Sequence, residues 1–106
     1  MTEILMPEAL AANPERYYLI DVRDAEDYAA GHVDGAVHIP LADLEARLGE
    51  IPSNLVPVTI CRVGGGRSAA AAEMLIRSGH PVALALEGGT LGWLAKHASP
   101  SDEAGE

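Results

Sequence analysis

The run Val58-Thr59-Ile60-Cys61-Arg62-Val63-Gly64-Gly65-Gly66-Arg67-Ser68, continued by the alanine-rich segment Ala69 to Ser78, most constrains what this chain can fold into. A short β-prone run ends at the one cysteine of the protein, three glycines follow, and helix-forming residues begin at once. That order describes a strand, a loop and a helix N-terminus. Glycine reaches positive φ without steric cost, so the loop can turn successive backbone N–H groups inward. The helix adds its unpaired first-turn donors and the positive end of its dipole. The product is a concavity suited to an anion. Cys61 is expected at its rim, between Arg62 and Arg67, and those cations predict a thiolate favoured well below the free value of about 8.5. Cys61 is therefore the candidate nucleophile. Arg62, Val63, Gly64, Gly65, Gly66, Arg67 and Ser68 are the candidate substrate-binding set.

A lone cysteine is commonly a small buried hydrophobe, and a glycine-rich loop after a strand is commonly a tight turn. Charge argues for more than that here. The chain carries a net charge of −9 with seven Lys and Arg, and two of those seven bracket the loop. Geometry alone needs no guanidinium, whereas an oxyanion is well matched by one.

At 106 residues the chain is expected to form one domain with a single core. Three tyrosines, one tryptophan and no phenylalanine leave that core to Ala, Leu, Val and Ile. No apolar run approaches 18 residues and no leader is readable, so neither a membrane span nor a signal peptide is expected. One cysteine cannot form an internal disulfide, which fits a reducing cytoplasm. The acidic balance disfavours nucleic acid as a partner, since phosphate binding takes clustered cations.

In chain order, Met1 to Leu5 reads as a short strand and Pro7 to Ala12 as a helix. Tyr17 to Val22 is apolar without alternation, as in a strand covered on both faces. Asp24 is placed as N-cap of a helix to Ala30, with Glu26 and Asp27 in its first turn. A loop then leads to a strand at Ala36 to Ile39. Pro40 opens a helix over Leu41 to Leu48, whose leucines share one face. Pro57 to Ile60 is the strand that delivers Cys61, and a helix from Ser68 to Ser78 ends at Gly79. Pro81 to Leu86 is a further strand, Glu87-Gly88-Gly89 a turn, and Thr90 to His97 a last helix carrying Trp93. Ser99 to Glu106 is read as an acidic frayed tail. This alternation predicts an α/β fold with a parallel sheet and helices on both faces. In such sheets ligands sit at the C-terminal strand ends, where Cys61 falls.

Four stretches in register carry a resemblance. They are Leu19 to Arg23, then Asp27 to Pro40 (Asp27-Tyr28-Ala29-Ala30-Gly31-His32-Val33-Asp34-Gly35-Ala36-Val37-His38-Ile39-Pro40), then the Cys61 loop, then Leu86-Glu87-Gly88-Gly89 with Trp93. From about Met6 to Ala98 the chain resembles a single-domain rhodanese, a thiosulfate sulfurtransferase-like module. The resemblance implies a rhodanese-like three-layer fold on a five-stranded, mostly parallel sheet. It also implies that Cys61 carries a persulfide sulfur from a small anionic donor, thiosulfate or a persulfide, to a thiol, cyanide or protein acceptor, with no cofactor and no metal. One departure matters: five residues, Arg62 to Gly66, separate Cys61 from Arg67, where ordinary members have four. The wider spacing resembles related dual-specificity phosphatases and arsenate reductases, whose bowl accepts a tetrahedral oxyanion. We take the extra glycine as an outward bulge, because the flanking residues resemble the sulfurtransferase type.

Asp21 and Arg23, two apart at a strand end, are expected to form an ion pair shaping the mouth of the cradle. His32 and His38 bracket a short segment but lack further ligands for a metal, so both read as structural. Trp93 is expected to anchor the last helix, and Glu87 to cap or hydrogen-bond the neighbouring loop. Two alternatives to sulfur transfer stay open: an enzyme acting on a tetrahedral oxyanion, and a non-enzymatic redox or binding module. The sequence leaves the oligomeric state and the identity of donor and acceptor undetermined.

Overall fold

Strands that read as unbroken apolar runs need cover on both faces. The computed structural model, which describes residues 3–97, supplies it. Five strands, β1 (Glu3–Leu5), β2 (Tyr17–Asp21), β3 (Val37–His38), β4 (Val56–Ile60) and β5 (Leu84–Leu86), form one sheet in the order β1-β5-β4-β2-β3, with every pairing parallel. The connections carry α1 (Pro7–Ala12), α2 (Ala25–Ala30), α3 (Leu41–Leu44) and α4 (Gly66–Arg77), and α5 (Gly89–His97) follows the last strand.

The alternation hidden in the apolar runs appears once the two faces are separated. On β2, Tyr18 and Ile20 join one core cluster with Leu44, Ala71, Ala72 and Leu75, while Tyr17 and Leu19 join the other. On β4, Val58 and Ile60 join that second cluster with Leu10, Leu86 and Trp93, while Cys61, just past the strand's end, lies in the first. So α3 and α4 cover one face, and α1 and α5 the other. Trp93 packs against the second cluster, as expected of an anchor for α5.

Several element bounds differ from the sequence reading. The helix expected over Leu41 to Leu48 is one α turn followed by a 3-10 segment, Glu45–Glu50, with Arg47 outside helical φ/ψ. There the Arg47 guanidinium binds Glu50 and also donates 3.3 Å to the His38 carbonyl, a long-range partner that local periodicity does not encode. The helix after the Cys61 loop begins at Gly66, two residues before the expected start at Ser68. Asp24 occupies the N-cap position of α2, but its side chain makes no capping bond. Gly79 follows α4 with φ 114°, as the C′ position requires. The expected tail, Ser99 to Glu106, and the start of the first strand, Met1 and Thr2, lie outside the described residues. No helix among the described residues is long and apolar enough to cross a membrane.

Candidate functional site

β4 delivers Cys61 to the C-terminal edge of the sheet, between two helix N-termini. Helix α4 starts directly after the loop, and α5 starts at the Gly88-Gly89 turn packed beneath it. The first amides of α5 find their acceptors in the loop: Thr90 N–H donates 2.8 Å to the Cys61 carbonyl and Leu91 N–H 3.0 Å to the Arg62 carbonyl. In a trans peptide the N–H points opposite its carbonyl. With those two carbonyls turned down onto α5, the N–H groups of Arg62 and Val63 face the other way. Helix α5 therefore holds the loop in its donor-out conformation while satisfying its own orphan donors.

Close approach is what the paired glycines of the β5–α5 turn provide. Gly89 sits at φ 58°, and a Cβ there would meet the Cys61 carbonyl and the Gly64 nitrogen at 2.6 Å each. Gly64, at φ 81°, would place a Cβ 2.8 Å from the nitrogen of Gly88. Glu87-Gly88-Gly89 is the expected turn, and it also seats the Cys61 loop, a role that its local sequence does not signal. Glu87 does not hydrogen-bond the loop through its side chain as expected. Its carboxylate is exposed, and its backbone N–H pairs with the Leu5 carbonyl.

The sulfur is deeper than its expected rim position, with Cys61 5% exposed. Gly65 N–H points at Sγ from 3.1 Å, and the Cys61 thiol donates 3.2 Å to the Ser68 hydroxyl oxygen, which itself donates 3.1 Å to the Gly65 carbonyl. Ser68 is itself fully buried, and Thr59 on β4 fixes its backbone by donating 2.7 Å to the Ser68 carbonyl. Burial pushes the thiol up. The Ser68 hydroxyl and the N–H groups of Ser68, Gly65 and Gly64 more than offset that, so the thiol ends below its ordinary value. The lowering was expected; its main cause is this hydrogen-bond set rather than the flanking arginines.

The fifth loop residue does not bulge outward. Gly65 turns its amide to the sulfur and Gly66 becomes the first residue of α4, so the extra length is taken up as helix. Arg62 and Arg67 are exposed and line, with Arg23, Asp27 and the loop backbone, a cavity of about 220 Å³ over Cys61. Arg23 is pinned in its wall. Its Nε and Nη2 donate to the two Asp21 carboxylate oxygens at 2.9 and 2.8 Å, and Nη2 donates 2.7 Å to the Gly31 carbonyl. Asp21 is fully buried, and its hydrogen bonds raise the Arg23 guanidinium against the opposing effect of burial. The expected ion pair thus exists and does border the cavity.

His32 and His38 sandwich Tyr28, with ring centroids 3.8 and 4.7 Å from it. Each also contacts a backbone carbonyl: His32 Nδ1 that of Tyr28 and His38 Nε2 that of Arg23, both at 2.8 Å. The stack braces the segment that carries Arg23.

A first expected result follows from the Ser68 contact. Once the thiol has lost its proton, the Ser68 hydroxyl can turn its own from the Gly65 carbonyl to the sulfur; replacing Ser68 with alanine removes that hydrogen bond, worth about 1.5 kcal/mol, and lowers the thiolate population at a fixed pH below the midpoint by about tenfold. A more basic thiolate is intrinsically more nucleophilic, which returns about threefold. Iodoacetamide alkylation should therefore slow by about threefold while its pH midpoint moves up. An unmoved midpoint would show that Ser68 does not stabilise the thiolate.

A family model described as the rhodanese-like domain matches residues 6–96. A sulfurtransferase of Allochromatium vinosum is 34% identical over 89 residues, which is 84% of this chain and 81% of that protein. Bacillus subtilis YrkF, described as a candidate sulfur carrier protein, is 34% identical over 82 residues, 77% of this chain, and this chain spans 44% of the length of that relative. Among solved structures, a rhodanese-related protein of Thermoplasma volcanium is similar with a TM-score of 0.80 at 26% identity, covering 90% of this chain and 93% of that one. A thiosulfate sulfurtransferase of Pseudomonas aeruginosa gives a TM-score of 0.79 at 26% identity over 90% of this chain and 19% of its own.

Proposed function

Since this chain belongs to the rhodanese-like domain family, we propose that it is a sulfurtransferase that moves a sulfane sulfur through a persulfide on Cys61. The observation that carries the reading is a single thiol, lowered below its ordinary value, at the floor of a cavity rich in arginine, with Gly65 N–H directed at its sulfur and the Ser68 hydroxyl beside it.

In the first half-reaction the Cys61 thiolate attacks the outer sulfur of thiosulfate or of a persulfide donor. The new S–S bond forms as the donor's own S–S bond breaks, and with thiosulfate the leaving group is sulfite. Charge is conserved, because one thiolate and one dianion become one persulfide anion and one dianion. Arg62 and Arg67 draw the donor in and receive its anionic remainder. The outward N–H groups of the Arg62 to Ser68 segment then meet the terminal negative charge of the persulfide, as preorganised donors do at an oxyanion. In the second half-reaction an acceptor thiol or cyanide takes the outer sulfur, and Cys61 returns as thiolate.

The test is intact-protein mass measurement after incubation with thiosulfate, mercaptopyruvate or a small persulfide, followed by turnover with cyanide or a thiol. One added sulfur and its release to the acceptor are expected. A sulfur gained but never released would mark a carrier. No adduct with any of the three donors, together with hydrolysis of a phosphate ester or reduction of arsenate, would replace this reading with the oxyanion enzyme.

A further inference from the structure

The cavity over Cys61 is cationic with one exception. Asp27, in the first turn of α2, lines it beside Arg23, Arg62 and Arg67. Among the described residues Asp27 forms no ion pair, and neither Arg62 nor Arg67 does. Arg23 is already held by Asp21 and the Gly31 carbonyl through Nε and Nη2, and it responds to Asp27 only through charge, without a hydrogen bond between them. The mouth therefore presents a free carboxylate and two free guanidinium groups that do not neutralise one another. For a purely anionic donor the carboxylate is a liability, since like charges in a confined cavity repel. For a ligand carrying both charges it is a second anchor.

Size narrows the class. At about 220 Å³ the cavity is below the usual range for drug-sized ligands, so it fits a small molecule rather than an inserted peptide. Resting on the sulfurtransferase reading above, we propose that the acceptor is a small zwitterionic thiol, an α-amino-acid thiol, whose ammonium is received by Asp27 and whose carboxylate is received by Arg62 or Arg67. Such a ligand presents its thiolate to the outer sulfur of the Cys61 persulfide. One S–S bond forms, the Cys61 S–S bond breaks, and the electron pair returns to Cys61. The acceptor's thiol proton goes to solvent, and no oxidant or reductant is consumed.

Asp27 acts with opposite sign on the two half-reactions, which a merely structural residue would not do. The experiment loads wild type, Asp27→Asn and Asp27→Glu with thiosulfate, quantifies the persulfide by intact mass, and then measures sulfur release to cysteine and to 3-mercaptopropionate, which lacks the ammonium. Comparing each acceptor between proteins cancels its intrinsic thiol reactivity. In Asp27→Asn, loading by thiosulfate should accelerate by about twofold, while the cysteine to mercaptopropionate rate ratio should fall by about fivefold, the scale of an exposed charge pair. Asp27→Glu should retain most of the wild-type ratio. Persulfide formed normally with the same ratio in wild type and Asp27→Asn would overturn this inference alone. Equal slowing of loading and of both acceptors would overturn it too, by assigning Asp27 to support of Arg23. Failure of wild type to form any persulfide would overturn the sulfur-transfer reading and this one with it.

Discussion

Changing Cys61 to serine is expected to abolish sulfur loading and to lower turnover by about a thousandfold or more, as loss of a covalent nucleophile does. The chain holds no other cysteine, so no second thiol can carry the sulfur in its place. The fold should survive. Serine is slightly smaller and can keep the Gly65 N–H and Ser68 contacts, so the change costs on the order of 1 kcal/mol and lowers the melting midpoint by about 5 °C. Melts of the two proteins against pH add a signed test. The folded thiol titrates below its unfolded value, so between those two values the unfolded chain binds more protons, and wild-type stability rises with pH. That contribution is fully present above the unfolded thiol value and is lost as pH falls through the folded one. Serine does not titrate there, so the gap between wild type and Cys61→Ser should widen as pH rises across that window. A serine variant that still turns over would end the persulfide mechanism, and a gap that narrows with rising pH would contradict the lowered thiol.

The second large effect is expected far from the cysteine in sequence. In Gly89→Ala the new Cβ would lie 2.6 Å from both the Cys61 carbonyl and the Gly64 nitrogen and 2.7 Å from the Arg62 carbonyl carbon. All three are backbone atoms, so no side chain can swing aside to relieve the overlap. Either the Cys61 loop lifts or α5 withdraws, and both movements break the Thr90 and Leu91 hydrogen bonds that turn the loop carbonyls away from the cavity. A displacement near 1 Å at the reacting centre costs about a hundredfold in rate, and the strained backbone adds about 2–4 kcal/mol of destabilisation. Gly66→Ala makes a fitting control for stability. A Cβ there meets nothing within 4 Å and the residue is helical, so the melting midpoint should rise, by about 0.5–1 kcal/mol of stabilisation. If Gly89→Ala melts and turns over like wild type, helix α5 does not set the loop.

Gly89 also shows where local reading stopped. The strand–loop–helix order around Cys61, the parallel sheet, the cover on both faces and the Asp21–Arg23 pair were all legible, because each follows from residues adjacent in sequence or from a periodicity. Gly64, Gly65 and Gly66 announced a backbone with unusual freedom, and the alanine run announced the helix behind it. The sulfur's depth and the loop's latch were not legible, since they depend on residues brought together from 25 or more positions apart, such as Cys61 with Thr90. Nothing in the text of Glu87-Gly88-Gly89 says which backbone it will touch.

The sequence by itself determined which thiol can serve as a nucleophile, the order of the elements and the excess of guanidinium at one loop, because these are properties of composition and local conformation. Tertiary structure decided three things that residue type and local order leave open, because they depend on how side chains and amides are oriented after packing. Hydrogen bonds from Ser68 and the loop amides, set against burial, lower the thiol. The fifth loop residue became helix because α4 could start at Gly66 while Thr59 held Ser68 in place. Asp27, which along the chain is one more acidic residue in a helix's first turn, came to face the arginines of a loop more than thirty residues away, and that juxtaposition gives the cavity its mixed charge.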